Sequence, residues 1–135
     1  MNIVISIVSH AQASLVKNLL ASLDAHVTSK QHNVTIIVTE NTTLSDDFYC
    51  KFPIVQIRNL RGKGFGANHN SAFEYLDPDL FLVVNPDIEF IEPFNLDVLV
   101  KQMEASKTDV TSPIILGKDG SIEDYKRSDL TVKNL

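Results

Sequence analysis

Cysteine is nearly missing from this chain. Cys50 stands alone, so no disulfide can form within it, which suits a reducing compartment. Its ordinary role is that of a small, half-buried apolar residue. Basic blocks are also lacking, and the formal net charge is −5 at pH 7. That balance argues against nucleic acid or an anionic membrane surface as the main partner. No apolar run approaches the roughly 20 residues needed to cross a bilayer. Asn2-Ile3-Val4-Ile5 follows no basic n-region and no long apolar h-region, so the sequence predicts no secretory signal and a cytoplasmic location. The histidines fall at no zinc-like spacing. There is no internal repeat and no low-complexity segment.

What is present fits one domain. At 135 residues, with 44% hydrophobic and 21% charged positions, the chain can bury a real core. An α/β domain is expected over residues 1–120, followed by a polar tail over 121–135.

The organising stretch is Phe81-Leu82-Val83-Val84-Asn85-Pro86-Asp87-Ile88-Glu89. An apolar, partly β-branched run suits a strand buried on both faces of a parallel sheet. Pro86 cannot donate to a ladder, so the strand ends at or before it. Asp87 then lies just beyond the carboxyl end of a central strand, where ligands of open α/β sheets bind. A carboxylate there, with Glu89 two residues on, is a candidate ligand for Mg²⁺ or Mn²⁺. Asn-Pro-Asp is equally a common turn composition.

The rest of the chain alternates. Ile3–Val8 reads as a first strand, and Leu15, Leu19, Leu20 and Leu23 recur at helical spacing over Ala13–Ala25. Val34–Thr39 is a second strand, and Ile54–Arg58 a third. Asp46–Lys51 holds a helical turn between them. A glycine segment, Arg61-Gly62-Lys63-Gly64-Phe65-Gly66-Ala67-Asn68-His69-Asn70, runs into a helix ending near Tyr75. Leu80–Val84 is the fourth strand. Asn95 is a plausible N-cap for a helix carrying Leu96, Leu99, Val100 and Met103. Val110–Leu116 reads as a fifth strand, and Lys118-Asp119-Gly120 as a hairpin. This order predicts a doubly wound, mostly parallel sheet. Polar loops at Ser9–Gln12, Glu40–Thr43 and Asn85–Glu89 gather at one edge, and the glycine segment supplies a fourth wall.

Each wall has two readings. The glycine segment fails the Walker pattern, because Lys63 is followed by Gly64, and it follows the wrong strand for a dinucleotide fingerprint. It is either a structural turn or a place where Arg61 and Lys63 approach a diphosphate. His10 either stacks on a planar base or is an exposed loop residue. Glu40 and Asn41 either hydrogen-bond a base or ribose or cap their own turn.

The ordered set of Ile5-Ser6-Ile7-Val8-Ser9-His10, Ile36-Ile37-Val38-Thr39-Glu40-Asn41-Thr42, Gly64-Phe65-Gly66-Ala67-Asn68-His69-Asn70, Val84-Asn85-Pro86-Asp87 and Pro113-Ile114-Ile115 through Asp119-Gly120-Ser121-Ile122 resembles the amino-terminal, nucleotide-sugar-binding half of family 2 glycosyltransferases with the GT-A fold. It is most similar to their rhamnosyltransferase-type branch. The resemblance implies a Rossmann-like GT-A sheet, mostly parallel, with helices on both faces, truncated after about five strands. It implies metal-assisted transfer of a sugar from a UDP- or dTDP-sugar to an acceptor hydroxyl, in cell-surface polysaccharide synthesis. Ser9 and His10 would border the base, Glu40 would stand for the family's base-binding aspartate, and Asp87 would be the metal ligand. Asn85 takes the place of the first acid of the family's Asp-x-Asp motif. Asn70 and the Gly64–Gly66 turn would support the diphosphate-sugar side. The family's acceptor site and catalytic base belong to a further half not seen here, so the chain is expected to lack the base and to be prone to self-association. A non-catalytic nucleotide-binding or assembly module is the alternative, and a dinucleotide oxidoreductase a weaker one.

Overall fold

The computed structural model describes residues 1–41 and 47–123. The chain divides into two compact units, Met1–Lys101 and Gln102–Leu135. Thr42, Thr43 and Asp46 of the expected loop and turn, and the tail beyond Glu123, lie outside the described residues.

The first unit is an α/β fold. In chain order it runs β1 (Asn2–Ser9), α1 (Ala13–His26), β2 (Val27–Thr28), β3 (Asn33–Glu40), β4 (Ile54–Arg58), α2 (Phe65–Leu76), β5 (Leu80–Val84) and β6 (Phe94–Asn95), and α3 (Leu96–Ser106) begins within it. Four strands form one sheet in the order β4-β3-β1-β5, and every neighbouring pair is parallel. β2 and β6 form a separate two-stranded parallel ladder. The sequence does not announce that ladder, because two residues per strand leave no readable period.

β1 is central because it is apolar on both faces. Ile3, Ile5 and Ile7 pack with Val16, Leu19, Leu20 and Leu23 of α1 and with Leu96 and Val100 of α3. Val4 instead joins Ile37 and Ala72 of α2, with Phe81 against them. Alternation along an extended strand thus sends odd and even residues to two helical layers. The register sets Ile5 opposite Ile36 on one side and Leu82 on the other.

Polar groups lock the helix ends. Asn95 is the N-cap of α3 as expected, its Oδ1 accepting the Asp97 N–H at 2.9 Å. Asp97 itself is buried and fastens the turn before β3. Its carboxylate accepts the Lys30 N–H at 2.9 Å, the Ser29 hydroxyl at 2.9 Å and the Gln31 N–H at 3.3 Å. The Lys30 N–H does most to hold this carboxyl below its ordinary value, against the opposing effect of burial, and Ser29, Gln31 and the nearby His32 add to it. A depressed folded-state value contributes stability that is present above the unfolded value and lost as pH falls through the folded one. Asp97→Asn should therefore be less stable than wild type in denaturant at pH 7, with the gap narrowing as pH falls below the ordinary carboxylate range. Parallel pH profiles would remove Asp97 from this role.

Cys50 is half-buried and donates to Asp24 Oδ1 at 2.8 Å. Burial and that carboxylate push its thiol up to about 11. A thiol so placed is mostly protonated at pH 8, so alkylation there should be markedly slower than in unfolded chain; equal rates would disprove the contact.

Two expectations are corrected. Residues 47–50 carry no helical turn. Val110–Leu116 forms no strand: only Leu116 makes a bridge, antiparallel to Ile122. Val110 and Ile114 are 83% and 64% exposed, so the apolar run lacks the neighbour that would turn it into a ladder. The hairpin at Lys118–Gly120 does form, with Gly120 at φ 79° and the Gly117 N–H bonded to the Ser121 carbonyl at 2.8 Å.

Candidate functional site

The strand order fixes where a ligand can enter. From β1 the chain moves to β3 and β4 on one side, then returns to place β5 on the other. Connections leaving the carboxyl ends of β1 and β5 therefore diverge, and a crevice opens between them. A cleft of about 370 Å³ lies there. Val8, His10 and Gln12 line it from the end of β1, and Asn41 from the end of β3. Phe65 lines it from the start of α2, and Asn85, Pro86 and Asp87 from the end of β5. A concavity of about 410 Å³ elsewhere is lined by the single stretch Phe48–Ile54. We favour the cleft at the strand ends because four separate elements converge on it, three of them with polar side chains.

Each rim has a local cause. After β1, the Gln12 N–H bonds to Ser9 Oγ at 3.3 Å and the His10 N–H to Gln12 Oε1 at 3.4 Å. Ala11 between them adopts φ 57°, which leaves His10 exposed at the rim. Ser9 is buried and serves that turn. After β5, the Ile88 N–H bonds to the Asn85 carbonyl at 3.2 Å, closing a turn with Pro86 at its second position. The turn reading of Asn-Pro-Asp holds, and that turn brings exposed Asn85 and Asp87 to the cleft. Glu89 is exposed and is not among the lining residues.

The remaining sequence-based candidates are placed differently. Glu40 is buried at 3% exposure, and its Oε2 accepts from Arg58 Nε at 3.3 Å across the β3–β4 register. It does not line the cleft. Asn41 does, but its amide is engaged. Its Nδ2 donates to the Lys63 carbonyl at 2.7 Å, and its Oδ1 accepts the Lys63 N–H at 2.7 Å and Asn59 Nδ2 at 3.1 Å. Asn59 also donates to Asn68 Oδ1 at 2.7 Å, and Asn68 Nδ2 donates to the Lys63 carbonyl at 3.2 Å. Three asparagines therefore clamp the glycine segment through the backbone of Lys63. Asn70, the residue singled out from the sequence, is exposed and outside the cleft lining, whereas buried Asn68 carries the clamp. Arg61, Lys63 and Gly64 are exposed and do not line the cleft.

The glycine segment reaches α2 without left-handed backbone. Positive φ occurs at Gly120 but not at Gly62, Gly64 or Gly66. Gly64 precedes α2 with φ −63° and ψ 158°, and no side chain caps that helix start. Behind it, His69 is buried, and burial lowers its pKa, so the ring is neutral at pH 7. Its Nδ1 lies 2.8 Å from Ser6 Oγ, while Nε2 is buried without a hydrogen-bond partner. Gln12, Phe65 and Pro86 fall within the stretches expected to form the walls, though none was singled out, and among the lining residues Val8 alone falls outside them. The i, i+2 alternation placing Val8 beside His10 was the only available signal.

Comparison with protein-family models gives no match, and no curated protein matches the chain.

Proposed function

We propose that this chain is the nucleotide-sugar-binding domain of a metal-assisted glycosyltransferase of GT-A type, binding a UDP- or dTDP-sugar. The observation that carries the reading is the cleft at the switch point, where Asp87 meets the turns after β1 and β3. The donor set suits Mg²⁺ or Mn²⁺. Asp87 offers a carboxylate and Asn85 an amide oxygen, and hard cations of this kind bind through one or two carboxylates completed by substrate phosphates. Such an ion supplies Lewis-acid stabilisation of charge on the departing diphosphate. The chain's own residues do the rest. The start of α2, uncapped by side chains, presents backbone N–H groups and a positive dipole end to a diphosphate. His10 borders the planar end, and the asparagine clamp keeps the rim in place. A transfer role in cell-surface polysaccharide synthesis rests on the sequence resemblance.

A second reading has its own support. Among the described residues, Asp87 is the only carboxylate lining the cleft. If it holds the metal, no second carboxylate among the described lining residues remains to deprotonate an acceptor hydroxyl. The chain would then bind the nucleotide without turning it over, as an assembly or binding module.

Calorimetry with UDP and dTDP, with and without Mn²⁺, tests the proposal. Metal-dependent heat for at least one nucleotide is expected, and none for either would overturn it. Transfer or hydrolysis by the purified chain would reject the non-catalytic reading.

A further inference from the structure

Phe65 is a large apolar side chain left 56% exposed at the cleft. Exposure alone is ordinary, but this ring is held in place. Its face or edge meets His69 at 4.4 Å between centroids and 71° between planes. His69 is anchored by Ser6 and meets Phe81 edge-on at 6.4 Å. Phe81 in turn meets Phe73 at 5.4 Å and 81°. Four rings therefore form a ladder along α2 and β5, and its outermost member ends at the cleft. An aromatic group fixed from behind by a buried, anchored ring such as His69 and open in front loses little freedom when a flat ligand settles on it.

We infer that Phe65 is the stacking platform for the planar base of the nucleotide, across the cleft lining from His10. This rests on the nucleotide reading above and deepens it. Stacking is favoured over hydrogen-bond readout on this wall, because the amide of Asn41, which also lines the cleft, is already committed to Lys63. The platform is tolerant of base identity, since every base offers a π-face.

The test is calorimetry on the whole 135-residue chain with Mn²⁺, using UDP, dTDP and inorganic pyrophosphate on wild type, Phe65→Leu and Phe65→Tyr. Phe65→Leu should weaken UDP and dTDP by roughly 5-fold to 100-fold, the range of base–aromatic stacking, and leave pyrophosphate unchanged. Phe65→Tyr should restore nucleotide binding. Unchanged nucleotide affinity in Phe65→Leu, an equal loss for pyrophosphate, or a collapse of the melting temperature would each overturn the platform. Wild type that binds neither nucleotide would instead overturn the reading of the cleft.

Discussion

Asp87→Ala is expected to abolish the Mn²⁺-dependent part of UDP and dTDP binding, a loss of at least about 100-fold, since even outer partners of a metal ligand are worth 10–100-fold. The side chain is exposed and makes no hydrogen bond or ion pair among the described residues, so the variant should melt within a few degrees of wild type. The turn that carries it is closed by the Asn85 carbonyl and the Ile88 N–H, neither of which the substitution removes. Glu89→Ala serves as the control, because Glu89 lies outside the cleft lining and should change little. Metal-dependent heat that survives in Asp87→Ala, or is lost equally in Glu89→Ala, would move the metal ligand elsewhere.

Ile5→Ala should produce the largest loss of stability. Ile5 is 1% exposed at the middle of β1, opposite Ile36 and Leu82 in the two flanking strands. Deleting its buried carbons removes burial energy and leaves a cavity that α1 and α3 can close only partly. The cost is about 2–5 kcal/mol, read as a fall of roughly 5–20 °C in Tm. Val83→Ala, on β5 and 52% exposed, should cost less than about 1 kcal/mol. Equal losses for the two variants would contradict a core centred on β1.

Strand and helix positions in the first unit were largely legible. Ile54–Arg58 and Leu80–Val84 coincide with β4 and β5, because Pro53 bounds a β-branched stretch at its start and Asn85 an uninterrupted apolar run at its end. The same reasoning misled at Val110–Leu116, where an apolar run has no ladder neighbour among the described residues. Strand propensity reports fitness for a sheet surface, and the partner must come from elsewhere. At the site, Asp87 and His10 were legible because they follow strand ends directly. The engagement of Asn41 was not, since its partner Lys63 lies 22 residues away and is held through its backbone. Phe65 was hidden for a related reason. Between two glycines it reads as the start of a helix, and only the ring ladder shows it to be a supported, exposed surface.

All three pairings in the main sheet are parallel, and this governs how the chain reaches its native state. The main sheet itself offers no hairpin as a local nucleus, because parallel strands need a long crossover between them. Ile3 must find Leu80 before the second flank of β1 is covered. Loop closure of that length precedes any reward, so folding should be slow compared with a meander of similar size. Until β5 docks, the most deeply buried of the described strands has an open side, and that interval is when nascent chains are most apt to adhere to one another.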